Sequence, residues 1–117
     1  LYFLNPESDI NLDTRRLAEI AKSLVFKAAP DGLCISGSAA GQGVDSDLLS
    51  QVKKAAPEVM LFANTGCTVD TIADKLQICD GAVVATTFKF DGYLYNPVDV
   101  NRVKTFMSRV RQIRETL

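Results

Sequence analysis

A chain of 117 residues with 47% apolar side chains is about one small domain, with enough apolar material for a core. Its 13 basic and 14 acidic residues leave a net charge of −1, which gives no support to a nucleic-acid surface, and no Lys/Arg run contradicts that. There is no histidine, which removes Ser-His-Asp and Cys-His catalysis within the chain together with the commonest zinc ligand.

Leu1-Tyr-Phe-Leu reads as a short, fully apolar strand that ends at the turn Asn5-Pro6-Glu7-Ser8. Leu17, Ile20, Ala21, Leu24, Val25 and Ala28 then recur at spacings of three and four, one apolar face of a helix. Asn11, Asp13 or Thr14 is placed to cap it, and Pro30-Asp31-Gly32 stops it. Gly32-Leu-Cys-Ile-Ser36 is the second strand, followed by the loop Gly37 to Val44. Asp45 is a good cap for a helix that buries Leu48, Leu49, Val52 and Ala56 and ends before Pro57.

Val59 to Ala63 form the third expected strand, and Thr68 caps a helix with Val69, Ile72, Ala73 and Leu76 inward. Ala82 to Thr86 form the fourth. After the loop Phe88 to Val98, Asp99 caps a last helix showing Val103, Phe106, Met107, Val110 and Ile113. Arg102, Lys104, Arg109, Arg111 and Arg114 read as a solvated face of that helix. Apolar strands alternating with amphipathic helices predict an α/β fold with a parallel sheet covered by helices.

Two strands that each run into a small-residue, hydroxyl-rich turn carry the functional signal. Thr65-Gly66-Cys67-Thr68 and Ala85-Thr86-Thr87 have the composition to offer backbone N–H groups to an anion. In a (β/α)8 barrel the turns after the last two strands commonly bind a phosphate. Gly66, Cys67, Thr86 and Thr87 are therefore the expected phosphate residues, with Lys89 as counter-charge. Asn64 stands where an apolar strand ends, and there an amide either orients a substrate hydroxyl or ties down the turn. Asn5 and Glu7 hold the matching place after the first strand, with Glu7 the best carboxylate for acid–base work.

Other motifs carry less. Ser36-Gly37-Ser38 lacks the flanks of a nucleophile elbow. The loop Gly37 to Gly43 is not GxGxxG, and Asp45 and Asp47 would repel a phosphate from the next helix. Cys67 is the one candidate for a reactive thiol, set against a structural role. Asp80, Asp91 and Asp99 read as turn or cap residues rather than metal ligands, and no cofactor is specified. Three cysteines in strand or helix context suit a reducing compartment, the cytoplasm or an organelle interior. No apolar run approaches the roughly 20 residues that cross a bilayer. A start at Leu1, without Met, reads as a fragment or a processed chain.

With these units aligned, the chain resembles the C-terminal half of the BtpA/SgcQ family of (β/α)8-barrel proteins. Three stretches carry the likeness: Asp31-Gly-Leu-Cys-Ile-Ser-Gly-Ser-Ala-Ala-Gly, Gly66-Cys-Thr-Val-Asp-Thr-Ile-Ala, and Asp80-Gly-Ala-Val-Val-Ala-Thr-Thr-Phe-Lys-Phe-Asp-Gly with Asn96-Pro-Val-Asp99 after it. The resemblance implies a single unit over 1–117, strands five to eight of a barrel whose first half is missing. Its activity is poorly defined. Family members are linked to sugar or nucleoside metabolism and to photosystem I biogenesis, so a phosphorylated small molecule and a non-catalytic assembly role are both implied.

Two departures stand out. Asn5-Pro-Glu-Ser8 replaces the family's Asp and Lys-His pair, and Cys67 replaces a valine in its Ser-Gly-Val-Thr turn. A small doubly wound, flavodoxin-like domain is the alternative fold. A half barrel leaves the first and last strands as open edges and uncovers an inner face that includes some of Leu33, Ile35, Met60, Phe62 and Val84. It predicts pairing with the missing N-terminal half or with a second copy.

Overall fold

Parallel neighbours in a sheet cannot be joined by a tight turn, so each strand here is followed by a helical crossover. A computed structural model describes residues 1–4, 15–36, 45–64 and 66–117. The strands β1 (Tyr2–Leu4), β2 (Gly32–Ser36), β3 (Met60–Asn64) and β4 (Gly81–Val83) form one parallel sheet in the order β1-β2-β3-β4. That order does not reverse among the described strands, an arrangement found in half a barrel and also on one side of the switch point of a doubly wound sheet. The helices α1 (Leu17–Ala28), α2 (Ser46–Ala55), α3 (Ile72–Ile78) and α4 (Val100–Thr116) pack in chain order, each on the next. Crossovers of one hand along a sequential sheet put the helices on one side.

Local chemistry sets the helix ends. The Asp45 carboxylate accepts from the Asp47 N–H at 2.9 Å, and Asp99 accepts from Asn101 N–H at 2.9 Å. Ala29 closes α1 in the left-handed region (φ 43°), directly before Pro30. The expected caps of α1, Asn11, Asp13 and Thr14, lie outside the described residues. At α3 the Thr68 carbonyl accepts from Thr71 and Ile72 N–H, while Thr71 Oγ1 accepts from Thr68 N–H at 2.9 Å. This is the reciprocal half of a capping box, and regular helix begins only at Ile72.

Strand alternation sorts the two faces. Leu4, Ile35, Ala63 and Ala82 stand in one register row and Leu33 and Leu61 in another, all toward the helices. They meet Ala21, Leu49, Val52, Ile72, Phe106, Val110 and Ile113 in a single core. Leu33 and Ile35 thus leave the expected inner face for the helix side, and Val84 packs against the same core. Met60 and Phe62 do alternate to the opposite, helix-free face, which carries no helix among the described residues. Cys34 and Ser36 are buried there, while its margins Phe3, Met60 and Val83 are exposed. A cavity of about 410 Å³ runs between β4, α3 and α4, with Phe62, Leu76, Met107 and Arg114 among its walls.

The Phe62 ring dictates its neighbours. A Cβ on Gly81 would lie 2.8 Å from it, and a Cβ on Gly32 would lie 2.9 Å from it. Only glycine fits on either side. Asp80 then ties β4 down: its N–H donates to Leu61 O at 2.8 Å, and its carboxylate accepts from Leu61 N–H and Lys53 Nζ, each at 2.8 Å.

Gly81→Ala should destabilise the fold by about 1–3 kcal/mol through overpacking. Phe62→Leu in the same chain should relieve part of that loss, and urea unfolding of both single variants and the double variant checks the coupling. The Lys53 hydrogen bond, then that of Leu61 N–H, holds the Asp80 carboxyl below its ordinary range. A depressed folded-state pKa supplies stability above about pH 4 that is lost as pH falls through the folded value. The gap in unfolding midpoint between the wild type and Asp80→Asn should therefore be full at neutral pH and close as acid is added.

Candidate functional site

Parallel strands deliver all their C-terminal ends to one edge of the sheet, and the polar residues gather there. Ser36 ends β2, Asn64 ends β3, and the two are register partners on the helix-free face. Asn64 Nδ2 donates to Ser36 Oγ at 2.8 Å, and both side chains are buried. Asn64 is therefore a tied amide at the floor of this edge.

Beyond β3 the chain turns at Gly66 with φ 70°, a conformation that glycine adopts without strain. Cys67 follows and is buried. Beyond β4, Thr86–Phe88 form one turn of 3₁₀ helix, closed by Phe88 N–H to Ala85 O and Lys89 N–H to Thr86 O. The fourth strand is thus shorter than expected, because Thr86 belongs to this turn. Lys89 pairs through its backbone with Val98 and is half-exposed.

A cavity of about 320 Å³ lies beside these turns, lined by Val69, Thr87, Asn101, Arg102, Thr105 and Phe106. Arg102 Nε donates to Thr87 O at 2.7 Å. Of the five expected phosphate residues, Thr87 alone lines this cavity; Gly66, Cys67, Thr86 and Lys89 do not. Its cation is Arg102, a half-buried residue that the sequence reading assigned to a solvated face. The signal was its place in the first turn of α4, where the helix dipole disfavours a positive charge unless a specific partner holds it. Asn5, Glu7, Thr65 and the loop Gly37 to Gly43 lie outside the described residues.

A second residue escaped the sequence reading. Lys75 is buried, with Nζ donating to Ser46 Oγ at 2.9 Å at the start of α2. It stands three residues after Ile72, on the inward stripe of α3, so helical spacing alone marks it. Its charge faces the buried thiols of Cys67 and Cys79 and lowers both, yet burial outweighs it. Burial pushes the Cys67 thiol up, not down, which favours the structural role over the reactive one. Burial likewise raises Cys34, and Cys79 rises to about 11. Asp91 sits in a turn at φ 57° and Asp99 caps α4. Among the described residues no three His, Cys, Asp or Glu side chains gather to hold a metal, and no helix is long and apolar enough to cross a membrane.

The family model described as BtpA family matches residues 2–112. The chain is 46% identical over 114 residues to SgcQ, named for the sgc region of Escherichia coli (strain K12), a match covering 97% of this chain and 42% of that protein. Over 92 residues it is 28% identical to the uncharacterized protein TK2179 of Thermococcus kodakarensis, covering 79% of this chain and 35% of that one. Over 101 residues it is 26% identical to the photosystem I biogenesis protein BtpA of Synechocystis sp., covering 86% and 35%. The chain thus spans at most 42% of the length of these relatives. No solved structure matches it.

Thiol chemistry checks the site's electrostatics. With its pKa near 11, Cys79 holds roughly a hundredfold less thiolate at pH 8 than an unperturbed thiol at 9.0. Iodoacetamide should therefore label Cys34, Cys67 and Cys79 slowly in the folded chain and at ordinary rates in urea. Mass spectrometry of peptides carrying each cysteine reads this, and rapid labelling of Cys67 in the folded chain would restore it as a nucleophile.

Proposed function

Since the chain belongs to the BtpA family, we propose that it is the strand-five-to-eight half of a (β/α)8 barrel and binds a phosphorylated small molecule, a sugar or nucleoside phosphate, at the C-terminal ends of its strands. The observation that carries the binding reading is the cavity beside the 3₁₀ turn, where Arg102 and Thr87 stand at the N-terminus of α4. A guanidinium offers five N–H donors, and Thr87 O engages Nε. The phosphate rests in this cavity against Thr87, with Arg102 as its counter-charge. Gly66, Cys67, Thr86 and Lys89 do not line the cavity and remain candidates beside it, Cys67 through its backbone alone because its side chain is buried.

Ser36 and Asn64 set the floor on which the sugar hydroxyls rest, and Asn5 and Glu7 remain the candidates for acid–base work. The single helix layer and sequential sheet support the half-barrel reading, as does the greater length of the relatives. On that reading the missing N-terminal half, or a second copy, completes the sheet. Three free thiols suit a reducing compartment, the cytoplasm or an organelle interior. The name of the Synechocystis relative favours a second reading, a non-catalytic factor in assembly.

Thermal shift against inorganic phosphate, sugar phosphates and nucleoside monophosphates tests the proposal. Stabilisation by a phosphorylated compound, absent with its unphosphorylated parent, is the expected outcome. Arg102→Gln should weaken it ten- to hundredfold, since a hydrogen bond to a charged group contributes about 1.5–3 kcal/mol. No stabilisation by any member at millimolar concentration would leave the assembly reading.

A further inference from the structure

Arg102 is tied at only one of its nitrogens. Nε donates to Thr87 O at 2.7 Å, and among the described residues no acceptor meets Nη1 or Nη2. The guanidinium has a second neighbour all the same. A Cβ on Gly92 would stand 3.4 Å from Arg102 Nη2, so Nη2 lies beside that glycine. The segment around Gly92 is closed by its own backbone. Gly92 N–H donates to Lys89 O at 3.0 Å, Tyr93 N–H to Phe90 O at 3.2 Å, and Phe90 N–H to Pro97 O at 3.0 Å. Asp91 at φ 57° and Gly92 at φ 65° turn the chain through two consecutive left-handed residues. Asp99 N–H then donates to Phe88 O at 2.7 Å, which returns the segment to the start of α4. Gly92 is thereby fixed against the helix that carries Arg102.

We propose that Gly92 is a positioning residue for the anion site. It leaves room for the Arg102 guanidinium to keep Nε on Thr87 O and to meet the ligand end-on, through Nη1 and Nη2. This rests on the phosphate reading above. Two terminal nitrogens match two oxygens of one phosphoryl group, and a guanidinium already held at Nε loses less freedom when the ligand arrives. The site depends heavily on that one side chain. Arg102 is the one cation among the residues that line the cavity, and Asp99 already takes the Asn101 N–H at the adjoining helix end. A single positive charge suits a monophosphate, whereas the added charge of a diphosphate finds no second cation in the lining. At position 92 any other L residue is strained by the positive φ, and a branched side chain adds bulk beside Nη2.

Nuclear magnetic resonance of the 117-residue chain reads the guanidinium directly, since the Nε–H signal of Arg102 is the one that Arg102→Gln removes. In the ligand-free wild type this proton should exchange with solvent at least about tenfold more slowly than those of the exposed Arg109 and Arg111. Gly92→Val should bring it to their rate and raise the dissociation constant for inorganic phosphate about tenfold. Gly92→Ala, with one methyl group 3.4 Å from Nη2, should move both readouts the same way by less, and carries the test if the valine variant does not fold. Asp91→Gly, which leaves Gly92 in place, should change neither. Far-UV circular dichroism establishes that each variant is folded. Pyrophosphate should bind no more tightly than phosphate, and tighter binding overturns the monophosphate assignment. Phosphate bound at wild-type affinity by both Gly92 variants overturns the positioning role and leaves the phosphate reading standing. A wild type with a protected Nε–H that binds no phosphate at millimolar concentration overturns the phosphate reading, and this proposal with it.

Discussion

Everything in this molecule depends on how parallel strands are connected. Because each strand must be reached by a crossover of one hand, a sheet whose order equals its chain order collects its helices on one side and all its strand C-termini at one edge. The first consequence is the core, in which Leu33, Ile35, Leu61 and Ala63 meet α2, α3 and α4. The second is the site, because Ser36, Asn64, the Gly66 turn and the Thr86 turn share an edge without any direct sequence relation. The third is the opposite face, where Cys34, Ser36 and Asn64 are buried and Phe3, Met60 and Val83 are exposed.

Helix termini then divide that edge electrostatically. At α2 the N-terminal dipole is already met by Asp45 and Asp47, so an incoming anion finds negative charge there. At α3 the hydroxyls of Thr68 and Thr71 close the start of the helix, and Asp74 adds a carboxylate in its first turn. At α4, Arg102 counterbalances the Asp99 cap within a single turn. Arg102 at the start of α4 and the buried Lys75 beside Ser46 add positive charge against these carboxylates.

Much of this was legible in the sequence for identifiable reasons. Asp45 and Asp99 signal themselves because a carboxylate before an amphipathic run has one physical use, and β2 matched residue for residue because Gly32 and Ser36 bound an apolar run. The start of α3 was read at Thr68, where its hydrogen bonds begin, although helical geometry starts later. Less legible was anything decided by neighbours. Leu33 and Ile35 look the same whichever face they take, since parallel strands are apolar on both sides. Arg102 resembles the other arginines of α4 until the Thr87 carbonyl is placed beside it. Cys67 sits where a helix end would acidify a thiol, and only its burial reverses that. Asn5 and Glu7 lie outside the described residues.

The Phe62 ring over Gly32 and Gly81 has a meaning for strand alignment. Slipping β4 by one residue would present Ala82 to the ring and bring a methyl group into space the ring occupies, while pulling the Asp80 carboxylate away from Leu61. Sliding β2 the same way would present Leu33 or Asp31. Parallel strands that are apolar on both faces offer few marks of alignment, and here the ring adds to those of the Ser36–Asn64 and Asp80–Leu61 hydrogen bonds. One aromatic ring that accepts only hydrogen atoms on either side acts as a proofreading gauge, penalising misaligned strands.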